Sequence, residues 1–226
     1  MVSEKWKKRW ARWFKLRFAI LYPFGIWAVI SACSTDDSIM RSIWFVISGL
    51  LVRSWANCYA IKMEKLTTSG PYAHVRHPLY LGSFLIMVGF LIMLNIHWLI
   101  SLICILAIIG IVYMLTVKKE EAMLFDKFGQ DYKEYRQKVP AFLPRISPFR
   151  GGHKWGPSIE RYFRSQEYKL AIWMIILMIA FYLKDEFLVE QESVDVKIYV
   201  LIVAAFLLGM LDFIGEFLRK KIKHSV

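Results

Sequence analysis

The chain has 226 residues, is 57% hydrophobic and carries a formal charge of +12. Soluble domains are nearer to about 45–50% apolar, so an ordinary water-soluble globule is excluded. The basic residues lie beside apolar runs, which makes anionic lipid headgroups, rather than nucleic acid, their expected partner.

In chain order, the first expected element is an interfacial amphipathic helix over residues 1–17. Trp6, Trp10, Trp13 and Phe14 recur at helical spacing there, with Lys7, Lys8, Arg9, Arg12 and Lys15 between them. Six apolar spans are expected to follow, at 18–33, 43–58, 79–94, 98–117, 170–183 and 198–217. Asn95-Ile96-His97 leaves room only for a tight turn, so the third and fourth spans are expected to form an antiparallel hairpin. The fold class is thus all-α: a polytopic helical membrane protein of about six spans, with a cytoplasmic pocket expected next to that hairpin. Four parts result: the N-terminal helix (1–17), two spans (18–58), a core (59–167) and a two-span extension (168–226).

Lys and Arg crowd the N-terminus, 62–76, 118–164 and 219–223, whereas 35–41 and 184–197 are acidic. Six spans with both termini and the basic segments 62–76 and 118–164 in the cytoplasm satisfy every loop. Within 118–167, Met123, Leu124 and Phe128 recur at helical intervals before Gly129 breaks the pattern. Tyr132, Tyr135 and Val139 mark a second short helix, ended by Pro140, and 158–166 reads as a short surface helix. Cys33, Cys58 and Cys104 match no metal motif and read as buried structural thiols.

Two polar patches flank the expected hairpin. TSGPYAHVRHPLYLG (68–82) precedes the third span, and KKEEAMLFDKFGQDY (118–132) follows the fourth. The hairpin should bring them together as one pocket with apolar walls. His77-Pro78 starts a helix whose free amides, with Arg76, would suit a carboxylate. Tyr72 and Tyr80 offer hydroxyls, and Glu120 and Glu121 can accept from sugar hydroxyls or an ammonium. Taken singly, these residues also read as headgroup anchors and a solvated helix face.

Together the motifs G-x-Y, R-H-P-x-Y, E-E, F-G-x-x-Y-x-x-Y and V-P-x-x-x-P over 57–144 resemble the isoprenylcysteine carboxyl methyltransferase and phospholipid methyltransferase superfamily. The resemblance implies an integral membrane methyltransferase that uses S-adenosylmethionine. It implies a lipophilic acceptor, a prenylcysteine carboxylate or a phospholipid amine, entering from the bilayer. Cofactor-binding positions carried over are Asn57, Glu64, Lys65, Leu66, Thr67, Tyr72, His77, Pro78, Leu79, Tyr80 and Glu120. Arg76, His77 and Glu121 are the residues expected near the transferring methyl, and no metal is implied. The chain departs from the prenylcysteine enzymes at Thr116, where they carry an arginine one turn before the cofactor-binding glutamate. Two rival readings are an NADPH-dependent membrane oxidoreductase resembling sterol reductases, and a non-catalytic lipid-binding protein.

Overall fold

In the computed structural model, the described residues are 32–61, 65–112, 116–152, 154–187 and 196–224. The expected amphipathic helix at 1–17 lies outside them, as does nearly all of the first span. The described residues form helices α1 (Asp36–Tyr59), α2 (Pro78–Leu94), α3 (Trp98–Val112), α4 (Lys118–Lys138), α5 (Ile159–Ser165), α6 (Glu167–Asp185) and α7 (Val196–His224), with a 3-10 turn at Gly70–Ala73. No strand occurs among them.

Helix α1 begins at Asp36, well before the expected residue 43, because a capping box starts it there. The Thr35 hydroxyl accepts from the Ser38 amide at 3.2 Å, and the Ser38 hydroxyl accepts from the Thr35 amide at 2.9 Å. Asp36 and Asp37 then sit at the positive end of the helix dipole. Pro78 opens α2, and Asn95 closes it in the left-handed conformation at φ 49°. The turn to α3 is therefore as short as expected.

The close packing partner of α2 is α1. A Cβ placed on Gly82 would come within 2.7 Å of the Gly49 carbonyl, and one on Gly89 within 2.8 Å of Val46 Cγ2. Where lipid surrounds the helices, small residues permit this backbone approach and the dispersion contacts it brings. The close backbone approach to α2 is thus made by α1 rather than by α3, its partner in the expected hairpin. Cys104 and Ile105 of α3 join a buried cluster of Leu91, Met93, Leu94 and Phe181.

The expected break at Gly129 is present inside α4. Its φ of 53° and ψ of −120° lie in a region that only glycine enters readily. Beyond it, Tyr132, Tyr135 and Val139 pack with Ala73 and Phe149 in a second core. Ser158 caps α5, and Gln166 at φ 60° turns the chain into α6, which is bent 60° from α5.

By length and composition, Asp36–Tyr59 and 198–215 can cross a membrane, and α5 with α6 makes a third if the bent pair counts as one span. Pro78–Leu94 is a shorter apolar helix. The chain is thus a membrane protein whose described residues carry helices and no strand, with two or three candidate spans among them by this measure. Trp44, Phe206 and Phe213 project from α1 and α7 at 72%, 67% and 73% exposure, which suits a lipid environment. Cys33 corrects the buried-thiol reading: it is exposed at the entry to α1, while Cys58 and Cys104 are half-buried.

Candidate active site

The site is built where 65–80 meets α4 and the chain that follows it. That following chain, 139–149, runs alongside 73–77 and bonds to it through the backbone. Arg76 N–H donates to Pro140 O at 2.9 Å, and His77 N–H donates to Ala141 O at 3.2 Å. Arg145 N–H donates to His74 O at 3.0 Å, and Phe149 N–H to Ala73 O at 2.8 Å. The amides of Arg76 and His77, just before α2, are therefore engaged. Pro78 has no N–H, and the amides of Tyr80 and Leu81 turn back onto His77 O. The V-P-x-x-x-P motif supplies the carbonyls that fix this turn.

At the start of α4, two adjacent carboxylates have different surroundings. Glu121 Oε1 accepts from Arg76 Nη1 and lies 3.2 Å from His77 Nε2, while Oε2 is 3.5 Å from Arg136 Nε. Burial alone would raise the Glu121 pKa. The His77 hydrogen bond and the charges of Arg76, His77 and Arg136 outweigh it and hold the carboxyl below its ordinary value. Arg76 also reaches the Tyr132 hydroxyl at 3.5 Å. Its Nε is buried and has no hydrogen-bond partner among the described residues.

Glu120 Oε2 accepts from the Tyr80 hydroxyl at 3.0 Å. The buried His77 ring packs against Tyr80 and Phe142, with centroids 5.7 and 6.1 Å away. Tyr72 is fixed through its backbone, where the Tyr135 hydroxyl donates to Tyr72 O at 2.6 Å. Burial, and then the neighbouring Glu120 charge, drive the Tyr72 phenol far above its ordinary pKa. It remains a neutral donor at any physiological pH. Burial likewise raises the Tyr132 and Tyr135 phenols.

Other expected positions are less uniform. Pro78 is fully buried, and Leu79 O accepts from Ser83 Oγ at 2.9 Å. Leu66 packs on the Tyr132 cluster, Thr67 Oγ1 accepts from Ile61 N–H at 3.3 Å, and Lys65 is exposed. Asn57 is buried, and its amide donates to its own helix at Arg53 O, 3.0 Å away. Glu64 lies outside the described residues. Thr116 is half-buried one turn before Glu120. Among the described residues, no group of three or more His, Cys, Asp or Glu side chains is placed to hold a metal ion.

Sequence reasoning missed Arg53, Ser83 and Glu167. Arg53 donates from Nε to Glu167 Oε1 and from Nη1 to Ser83 Oγ and, at 3.2 Å, to Leu79 O. The signal was present: a lone arginine inside an apolar span marks a functional position by default.

Comparison with known proteins finds relatives of the sequence. A family described as phospholipid methyltransferase matches residues 20–131. The nickel-cobalt-cadmium resistance protein of Alcaligenes xylosoxydans xylosoxydans is 31% identical over 152 residues, covering 59% of this chain and 70% of that protein. The cobalt-zinc-cadmium resistance protein of Cupriavidus metallidurans is 31% identical over 116 residues, covering 50% and 52% of the two chains. The protein-S-isoprenylcysteine O-methyltransferase of Rattus norvegicus is 32% identical over 136 residues, covering 48% and 44%. The chain thus spans about half the length of the last two. No solved structure gives a significant match.

Proposed function

Because this chain belongs to the isoprenylcysteine carboxyl methyltransferase and phospholipid methyltransferase superfamily, we propose that it moves a methyl group from S-adenosylmethionine to a lipophilic acceptor. The acceptor is a prenylcysteine carboxylate or a phospholipid amine, arriving laterally from the bilayer. The observation that carries this reading is the meeting of Tyr72, His77, Tyr80, Glu120 and Arg76 at one polar end of an apolar helix bundle.

The residues fit a zwitterionic nucleoside cofactor. Arg76 Nε is a buried donor with no partner among the described residues, and a cofactor carboxylate would satisfy it. Glu120 offers a carboxylate to hydroxyls or an ammonium, and Tyr72 and Tyr80 offer phenols. Glu121, neutralised by Arg76, His77 and Arg136, holds the turn at the pocket wall. When bound, S-adenosylmethionine supplies an electrophilic sulfonium methyl. The protein's task is alignment and exclusion of water, so no general base is assigned for a carboxylate acceptor. Thr116 stands where the prenylcysteine enzymes carry an arginine, which weakens the prenylcysteine acceptor and leaves methyl transfer intact; an amine acceptor has to arrive deprotonated, its proton already given to water, so that its lone pair takes the methyl.

The finer topology belongs to the same proposal. Six spans put the basic segments 62–76 and 118–164 on the cytoplasmic side, with both termini and the site. Calorimetry of the full-length chain in detergent tests the function. S-adenosylhomocysteine is expected to bind in the micromolar range, and NADPH is the control. Binding of NADPH alone would transfer the chain to the reductase class, and binding of neither would overturn the cofactor assignment.

A further inference from the structure

The pair Arg53–Glu167 joins two parts of the chain that the family comparison separates. Arg53 lies inside the matched region, 20–131, and Glu167 lies beyond it, at the first residue of α6. Both side chains are largely withdrawn from solvent, at 20% and 10% exposure. A guanidinium at this depth is costly unless an acid accompanies it. Glu167 provides that acid on Nε, which leaves Nη1 to grip Leu79 O at 3.2 Å together with Ser83 Oγ.

Leu79 belongs to the same turn that Pro140 and Ala141 secure through the amides of Arg76 and His77. One side of the His77–Tyr80 turn is therefore held by the chain after α4, and another by Arg53. Arg53 and Glu167 also lie in the surroundings of the Tyr72 phenol, the first lowering and the second raising its pKa. The bend at Gln166, φ 60°, delivers Glu167 there just as α6 begins.

We infer that Glu167 is a positioning residue for the cofactor pocket, acting through Arg53 on the His77–Tyr80 turn, so that the C-terminal helical unit completes the site. The binding readout rests on the proposed methyl transfer, whereas the exchange readout does not. A second polar contact of α6, Lys169 Nζ to Asp212 Oδ1 at 3.5 Å, ties α6 to α7 away from the turn and supplies the control.

The experiment compares the full-length wild type with Glu167→Gln, Glu167→Asp and Lys169→Met in lipid nanodiscs. S-adenosylhomocysteine affinity is measured by calorimetry, and ligand-free hydrogen–deuterium exchange is followed over 76–86. Glu167→Gln is expected to weaken binding by about tenfold or more and to accelerate exchange, while Glu167→Asp restores most of the affinity and Lys169→Met stays within about twofold of wild type. If Glu167→Gln does not fold, Arg53→Lys carries the same test, since an ammonium keeps the charge pair and loses the fork on Leu79 and Ser83. Wild-type affinity in Glu167→Gln overturns the inference, as does equal weakening by Lys169→Met. If the wild type binds no S-adenosylhomocysteine, the methyl-transfer reading fails on its own. Exchange then decides: unchanged protection over 76–86 overturns the positioning role, and selective acceleration in Glu167→Gln upholds it.

Discussion

Glu120 and Glu121 are neighbours in the first turn of α4, yet the fold neutralises one and reserves the other. Glu121 is enclosed by Arg76, His77 and Arg136, whereas Glu120 receives the Tyr80 hydroxyl at 3.0 Å. The two isosteric amides should therefore separate binding from stability. Glu120→Gln is expected to reduce S-adenosylhomocysteine affinity by about 10- to 100-fold with a nearly unchanged unfolding midpoint, the worth of a charge-assisted hydrogen bond. Glu121→Gln leaves a buried guanidinium poorly compensated and should cost about 3 kcal/mol of stability. Calorimetry and thermal unfolding on the same preparations check both; an unfolding midpoint unchanged by Glu121→Gln would contradict the clamp.

The same cluster predicts an acid limb of stability. The Glu121 pKa is lower in the folded protein than its ordinary 4.5. A depressed carboxylate stabilises the fold fully above its unfolded pKa, and that contribution is lost as pH falls through the folded value. The unfolding midpoint in detergent should gain nothing from this group between about pH 7 and pH 5, then fall at lower pH. In Glu121→Gln, this part of the decline should vanish. Identical acid slopes in the two proteins would contradict it.

Helix approach can be tested with glycines. At Gly82, a Cβ would lie 2.5 Å from Arg53 Cγ and 2.7 Å from the Gly49 carbonyl, so Gly82→Ala must push α1 from α2. A loss of about 1–3 kcal/mol is expected, the usual cost of overpacking. Gly110 of α3 has open space around it, and Gly110→Ala should be neutral or stabilising by up to about 1 kcal/mol. Because Gly82 touches the Arg53 stem, Gly82→Ala should also weaken cofactor binding. Thermal unfolding paired with calorimetry separates these effects.

Gly129 gives the reverse case, with space but the wrong backbone for a side chain. A Cβ there meets nothing within 4 Å, yet φ is 53°. Gly129→Ala should cost about 1–3 kcal/mol through backbone strain. It should also disturb the Tyr135 hydroxyl on Tyr72 O, seen as faster amide exchange over 70–76. Unchanged exchange would show that the two halves of α4 are mechanically independent.

What the sequence made legible was local chemistry. The tight turn at Asn95–His97, Gly129 as a break, and a short helix through Tyr132, Tyr135 and Val139 follow from propensities within a few residues, whereas the left-handed Asn95 and the shared buried face are findings of the structure. The meeting of 68–82 with 118–132 was also readable, because a short turn between apolar runs forces it. Partner choice among distant groups was not readable. That Pro140 and Ala141 would take the amides of Arg76 and His77 depends on how 139–149 lies, which no local pattern encodes. The precedence of α1 over α3 as neighbour to α2 rests on Gly49, Gly82 and Gly89 facing one another, a coincidence visible only once the helices are placed. Arg53 was readable as an exception to its apolar span, but not its acid, which lies far along the chain at Glu167.

The pairing of 139–149 with 73–77 also sets an order of assembly. His74 and Arg145 are 71 positions apart in sequence, and α2, α3 and α4 lie between them. Helices make their hydrogen bonds locally and can enter the bilayer one after another during synthesis, whereas this ladder must wait until its second strand of chain has emerged. A species with its helices inserted and its 65–80 segment still loose is therefore the expected step before the ladder closes. Lesions such as loss of Pro140 or shortening of 139–149 should leave membrane insertion intact and arrest the protein at that species, where quality control would meet an exposed, unlatched 65–80 segment.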